Sequence, residues 1–249
     1  TQESIGMAID DIADSTFEAE ATPNRCKYKT VFDVGLPRTG TTSVSKFMQH
    51  LVFTSQHVIR PPLKDFIACK DDISAPCRFY AQDPGRQLAW EDVPTFGLAC
   101  PLATKFRDAR FIYTTRPFED WSDSVHFMLC KWTLPHCAEL NTTSHQQIQT
   151  IIYGDAYPAF CLRASQHPSL CDDYGRSPLA SNMWEKMGLK QQWHEVHLKH
   201  DAEVKRCIPA ERLLELPLAS SEKATNIYRH LGCSGDVPDF PHHNAAVNY

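Results

Sequence analysis

Residues 30–43 read TVFDVGLPRTGTTS, and their order decides the fold. Thr30 to Val34 is a short β-rich run that breaks at Gly35, and from Thr41 to Phe53 the apolar residues Val44, Phe47, Met48 and Leu51 recur at helical spacing. The stretch therefore predicts strand, loop and helix. Between the two elements, Gly35-Leu36-Pro37-Arg38-Thr39-Gly40-Thr41-Thr42 has the spacing of a phosphate-binding loop, GxxxxG followed by two residues. Glycine permits the tight turn, successive N–H groups face one concavity, and a helix starting near Thr41 adds its positive dipole end. Thr41, however, stands where a nucleoside triphosphatase needs Lys to reach the outer phosphates, so the loop's cation is Arg38.

Working outward, Phe53 to Ile59 can return as a second strand, ended by Pro61-Pro62, which opens a βαβ unit and predicts a parallel sheet. Residues 61–87, punctuated by Asp71-Asp72, Pro76, Pro84 and Gly85, read as a loop-like excursion. Leu88 to Glu91 leads into Asp92-Val93-Pro94, Thr95 to Phe106 looks helical, and Ala109 to Thr115 reads as a fully buried strand. Arg116-Pro117 then starts a helix whose buried side is Phe118, Trp121, Val125, Met128 and Leu129. Residues 133–180, with one weak helical stretch from His145 to Tyr153, suggest a lid-like insertion. Ser181 to Arg206 reads as one long helix, Leu213 to Leu216 as a strand, and Ser220 to Leu231 as a helix closed by Gly232. The expected fold class is α/β, a three-layer α/β/α sandwich with a central parallel sheet and a P-loop, in one domain over 1–249 with an N-terminal arm at 1–29.

The 249 residues carry 25 Lys and Arg against 30 Asp and Glu, a formal net charge of −5, and 42% are hydrophobic. That balance fits a folded chain, and without a run of like charges it argues against a nucleic-acid-coating surface or a polybasic membrane arm. The chain begins at Thr1 rather than Met, which suggests a processed or truncated product from which an upstream signal peptide or membrane anchor could have been removed. No pair among the ten cysteines is spaced as CxxC, so disulfides are expected rather than a zinc ribbon. Three short spacings, Cys69 to Cys77, Cys130 to Cys137 and Cys161 to Cys171, lie where a bridge could pin a loop, although sequence does not give the pairing. With the glycosylation sequon Asn141-Thr142-Thr143, they favour a secretory-pathway lumen over the cytoplasm.

The loop resembles that of the sulfotransferases that use 3′-phosphoadenosine 5′-phosphosulfate (PAPS), whose 5′-phosphosulfate is held by a segment like Pro37-Arg38-Thr39-Gly40-Thr41-Thr42-Ser43. A second family mark is an Arg closing a strand, often followed by Pro, with a Ser eight positions later, and Arg116-Pro117 and Ser124 reproduce it. The resemblance implies that Arg116 and Ser124 bind the 3′-phosphate. It extends more weakly to His200, Val204, Glu211 to Leu214, Leu231-Gly232 and Phe240 to Asn244, which look like the end of one poorly characterised branch. It further implies sulfuryl transfer from PAPS to a hydroxyl of a carbohydrate or small molecule, with protein tyrosine a further option. Adenosine 3′,5′-bisphosphate is left as product and no metal is required, since a sulfuryl group carries less charge than a phosphoryl group. Arg38, Thr41 and Thr42 would stabilise the charge that builds during transfer.

An acceptor hydroxyl also needs a base, and two residues match different subfamilies, with Glu91 a further candidate. His57 falls near where several Golgi-type members place a catalytic carboxylate. Asp92, beside Glu91, falls near where cytosolic-type members place a catalytic His. Either residue also has an ordinary reading, as a strand-end histidine or a turn carboxylate capping nearby amides. His194, His197 and His200 drift around their helix, which suits a polar face better than a metal site. His242-His243 could border the donor, and Trp121 and Trp132 read as core. Two rival functions stay open, a nucleoside-triphosphate-dependent phosphotransferase and an inactive nucleotide-binding module. The first is disfavoured by Thr41 and by the lack of an evident magnesium-binding carboxylate after a buried strand.

Overall fold

The computed structural model describes residues 25–72, 74–80, 86–139 and 143–241. Most of the expected arm, Asn141 of the sequon and His242-His243-Asn244 lie outside the described residues. In chain order the strands are β1 (Arg25–Cys26), β2 (Thr30–Asp33), β3 (Thr54–Gln56), β4 (Leu88–Trp90), β5 (Arg110–Thr115), β6 (Leu213–Pro217) and β7 (Cys233–Ser234). The helices are α1 (Thr41–His50), α2 (Leu63–Asp71), α3 (Ala99–Lys105), α4 (Phe118–Met128), α5 (Ser144–Tyr153), α6 (Ala156–Gln166), α7 (Pro178–Lys186), α8 (Leu189–Cys207) and α9 (Lys223–His230).

The central sheet runs β3-β4-β2-β5-β6, and each neighbouring pair is parallel. Strand alternation explains the layers on its two faces. Phe32, Trp90, Phe111 and Tyr113 point to one face, where α2, α3 and α8 cover them with Phe66, Leu102 and Val204. Val31, Ala89 and Ile112 point to the other, against Val44, Phe47 and Met48 of α1 and Ile227 of α9. Because both faces are covered, the inner strands read as continuous apolar runs. The ring of Phe32 touches those of Tyr80, Trp90, Phe106 and Phe111, so its side chain alone contributes about 2 kcal/mol of burial. A third apolar cluster, with Leu36, Phe96, Trp121, Phe160, Trp184 and Trp193, joins residues 133–180 to the sheet's carboxyl edge.

Four expectations need correction. Residues 61–87 are not all loop: Pro62 precedes α2, whose Phe66 and Cys69 are buried, so the prolines mark a helix start. Leu88–Trp90 is a strand next to β2, too short at three residues for periodicity to reveal it. The long helix is two, because Met187-Gly188 interrupts it and Gly188 takes φ 70°. The insertion is mainly helical, through α5, α6 and a 3₁₀ segment at Pro168–Gly175.

All ten cysteines pair. Cys69–Cys77 is bridged, as its spacing suggested, but the other two short spacings are not. The turns that follow α4 bring Cys130 and Cys137 against the rest of the insertion, and the bridges are nested, Cys137–Cys161 inside Cys130–Cys171. Cys26–Cys233 joins β1 to its antiparallel partner β7, and Cys100–Cys207 ties α3 to the end of α8. Native bridges of this kind contribute about 2–4 kcal/mol each. Five of them suit a non-cytosolic, oxidising compartment.

Candidate active site

Parallel strands share one carboxyl edge, and here every strand of the central sheet delivers cleft residues there. His57 follows β3, Asp92 follows β4, Pro37 to Ser43 follow β2, Arg116 follows β5 and Leu218 follows β6. Together with the insertion they enclose a cleft of about 1310 Å³.

The loop after β2 is fixed from below through its carbonyls. His200 Nε2 donates to Val34 O at 2.7 Å, Thr39 Oγ1 to Leu36 O at 2.6 Å and Trp121 Nε1 to Pro37 O at 2.8 Å. Donors that consume the carbonyls leave the loop's concave side to its N–H groups. Gly35 is required sterically, since a Cβ there would stand 1.8 Å from Thr114 Oγ1. Gly40, at φ 109°, precedes α1 with no side-chain cap on the helix's first amides. Arg38 takes φ 73°, a left-handed conformation that costs a non-glycine residue roughly 1 kcal/mol and is typical of functional loops. Its Nε donates to Ser124 Oγ at 3.0 Å, and Arg116 Nη1 reaches Arg38 O at 3.5 Å. Arg38, Arg116 and Ser124, predicted from separate motifs, therefore share one wall.

On the facing wall, His57 and Asp92 form a pair. His57 Nε2 lies 3.4 Å from Asp92 Oδ2 and 3.1 Å from Thr42 Oγ1, and Thr41 Oγ1 donates to Asp92 Oδ2 at 3.4 Å. The backbone N–H of the next residue, Val93, completes the set by donating to Asp92 Oδ1 at 2.8 Å. Burial raises the Asp92 carboxyl above its ordinary range, and His57 acts against that rise. Asp92, like Arg38, is left-handed, at φ 60°. His57 Nδ1 is buried without a hydrogen-bond partner.

Glu91 faces away. It is buried and takes bonds from Ser55 Oγ at 3.0 and 3.1 Å, with Ser45 Oγ 2.6 Å from Ser55 Oγ. Burial pushes it up to about 8, with nearby Asp33 adding to the rise. Asp33, which accepts from Gly35 N at 2.9 Å and Thr114 Oγ1 at 3.2 Å, is likewise pushed by burial to about 7. The strand β4 thus does place two carboxylates after a buried strand, beside the one that carries the phosphate loop. One of the grounds against a magnesium-dependent phosphotransferase accordingly falls, although Asp92 is engaged by His57 and Thr41 and Glu91 by Ser55.

The other sequence candidates separate. Trp121 is fully buried, as expected, but Trp132 is half exposed and lines the cleft, with the Arg38 guanidinium 5.4 Å from its ring. His197 donates to Arg116 O, His194 stacks on Phe118, and burial lowers His200 to about 4. Among the described residues no cluster of three His, Cys, Asp or Glu could hold a metal ion. Sequence reading missed Arg60, His136, His145 and Gln149 at one end of the cleft and Lys223 at the other. No motif marks them: Arg60 follows β3, His136, His145 and Gln149 arrive by packing of the insertion, and Lys223 by packing of α9.

No curated protein matches the chain significantly. A sequence model of the sulfotransferase domain matches residues 30–249, from β2 through the Phe240-Pro241 segment, and so takes in both walls of the cleft. With the phosphate loop, the strand-end arginine and the paired base candidates on that one cleft, the chain belongs to the sulfotransferase domain family.

Proposed function

We propose that the protein transfers a sulfuryl group from PAPS to a hydroxyl of a carbohydrate or small-molecule acceptor, in the secretory pathway, within the Golgi lumen. One observation carries this: Arg38, Arg116 and Ser124 stand on one wall of the cleft, and the His57–Asp92 pair on the other. Five disulfides support the compartment. The residues at the site fit the donor, since a loop with its carbonyls consumed and two arginines nearby is suited to two separate anionic groups.

PAPS supplies a sulfur whose bond to the phosphate oxygen breaks as the bond to the acceptor oxygen forms. Arg38 swings from Ser124 toward the bridging oxygen, where charge develops, and Thr41 and Thr42 hydroxyls help to hold it. Arg116 and the released Ser124 hold the 3′-phosphate. His57 accepts the acceptor's proton at Nε2, and Asp92 stabilises the resulting imidazolium. Thr42 Oγ1 already shows that a hydroxyl oxygen can stand 3.1 Å from that nitrogen. The two subfamily patterns for the base therefore merge into one pair. No metal enters, because the transferred group carries little charge.

Calorimetric titration with adenosine 3′,5′-bisphosphate, and with ADP and ATP plus magnesium, tests the donor on wild type and Arg116→Ala. Tight binding of the bisphosphate alone, weakened at least tenfold in Arg116→Ala, is the expected result. Preference for magnesium-ATP would move the protein to the phosphotransferase class, which β4 and its two carboxylates make the specific rival. Binding without turnover of any labelled PAPS acceptor would mark an inactive module.

A further inference from the structure

Helix α4 carries a stripe that leads away from the cleft. Ser124, which bonds Arg38, and Phe127, three residues on, share a face of the helix. On the ring of Phe127 lies the Arg176 guanidinium, 4.1 Å from its centroid. Trp132 packs edge-on to the same ring, and Arg38 lies over Trp132. Arg176 is exposed and has no carboxylate within ion-pair distance among the described residues.

The segment that presents Arg176 is held in an unfavourable shape. Asp173, Tyr174 and Gly175 are consecutive left-handed residues, at φ 49°, 53° and 82°. For the two non-glycine residues this costs roughly 1 kcal/mol each. Three contacts impose it. Cys171 is bridged to Cys130, His126 Nε2 donates to Leu170 O at 3.0 Å, and Gly175 lies so close to the His126 ring that a Cβ would stand 3.0 Å from it. His126 is itself stacked on Trp184 at 4.3 Å, and burial lowers it to about 4, so it stays neutral and fixed. Local strain maintained by surrounding structure points to a function. The product of that strain is the position of Arg176.

There it joins Arg38 and Arg116. Burial, followed by the charges of Arg116 and Arg176, holds the Arg38 guanidinium below its ordinary range against the pull of Asp92. The like charges of Arg116 and Arg176 act against that of Arg38, a repulsion that an anion bound among them relieves.

On the strength of the PAPS assignment, we propose that Arg176 is a third donor-binding arginine, which reaches from the disulfide-held insertion over Phe127 to cover the 3′-phosphate beside Arg116 and Ser124. Phe127 serves as its platform, limiting the rotamers that Arg176 must give up on binding.

The probes are adenosine 3′,5′-bisphosphate and adenosine 5′-phosphate, which lacks the 3′ group, titrated calorimetrically into wild type, Arg176→Ala, Arg176→Lys and Arg163→Ala. Arg163 is exposed on α6 and controls for loss of one charge elsewhere. Arg176→Ala should weaken the bisphosphate about tenfold or more and leave the monophosphate unchanged, Arg176→Lys should recover part of the loss, and Arg163→Ala should change neither. Equal weakening of both nucleotides, or an Arg176→Ala protein with the wild-type ratio, overturns the role of Arg176 while the donor assignment stands. A wild-type protein that does not prefer the bisphosphate overturns the donor assignment itself, and the role of Arg176 with it.

Discussion

On the proposed donor wall, Pro37 to Ser43 and Arg116 stand at or just beyond the ends of β2 and β5, two interior strands, with Ser124 on α4 beside them, and the loop carbonyls are tied down by Trp121, Thr39 and His200. On the facing wall His57 follows the edge strand β3, Asp92 follows a three-residue strand, and His136, His145 and Gln149 come from a segment pinned by the nested bridges Cys130–Cys171 and Cys137–Cys161. The first wall is mostly backbone, ordered by the sheet. The second is mostly side chain, ordered by covalent links and by an insertion. A cradle for a constant ligand can be built from strand ends, whereas a surface that selects an acceptor needs elements free to change sequence without disturbing the sheet.

If the walls divide the work in that way, the pair His57–Asp92 should govern turnover alone. His57→Ala and Asp92→Asn are each expected to lower kcat by about 10²–10⁴, with the affinity for adenosine 3′,5′-bisphosphate within about twofold of wild type. Because the two act as one unit, the double variant should be little worse than either single one. Additive losses in kcat, or a parallel loss of nucleotide affinity, would dissolve the distinction between the walls. The measurement is steady-state sulfuryl transfer beside calorimetry on the same three proteins.

The same contrast explains what could be read in the sequence. The donor wall was legible because its physics is local: GLPRTGTT must follow one strand and precede one helix, and Arg116-Pro117 with Ser124 must lie on the next such junction. The parallel sheet and the buried strand at Ala109 to Thr115 were also legible, from the strand-to-helix alternation and the apolar run. The acceptor wall was not legible. β4 has three residues and shows no period, α2 was hidden by prolines that start it, and the pairing of Cys130, Cys137, Cys161 and Cys171 depends on how helices pack. His57 and Asp92 appeared as competitors because nothing in a linear spacing shows that β3 and β4 are neighbours. Arg176 carried no motif at all, since its place depends on a bridge and a ring contact.

Beneath each wall lies one buried carboxylate, Asp33 under the phosphate loop and Glu91 behind Asp92. Burial raises both, to about 7 and about 8, from ordinary values of 3.8 and 4.5. Above pH 6.5 the unfolded chain has already lost these protons while the folded chain still holds them, so stability should fall as pH rises toward 9. The buried histidines His126 and His200, lowered to about 4, act only below 6.5 and leave that window clean. Urea denaturation of wild type and Glu91→Gln at pH 6.5 and pH 8.5 separates the two sites. Glu91→Gln should remove about 2 kcal/mol of the fall between those values, and Asp33→Asn, whose folded value lies nearer 7, should remove less than half as much, about 0.8 kcal/mol. Each variant also loses hydrogen bonds, which lowers its stability at every pH and does not alter the slope. An unchanged slope in Glu91→Gln would mean that Glu91 is ionised when buried, and that the floor of the acceptor wall is polar rather than dry.

The smallest effect concerns how the acceptor wall is set in place. Thr143 caps α5, its hydroxyl accepting from Gln146 N at 3.3 Å, and α5 carries His145, Gln146 and Gln149 into the cleft. The same residue is the third of the sequon Asn141-Thr142-Thr143, so helix cap and glycosylation signal are superimposed. Three substitutions separate them. Thr143→Ala removes both, Thr143→Ser keeps both, and Asn141→Gln removes the glycosylation signal alone. Loss of the cap should cost about 1 kcal/mol and raise KM for the acceptor a few-fold as the first turn of α5 frays, with donor affinity unchanged. Thr143→Ser should behave as wild type. If Asn141→Gln reproduces the full effect of Thr143→Ala, the glycan rather than the helix cap orders this edge of the cleft, and the acceptor wall depends on a modification that the donor wall does without.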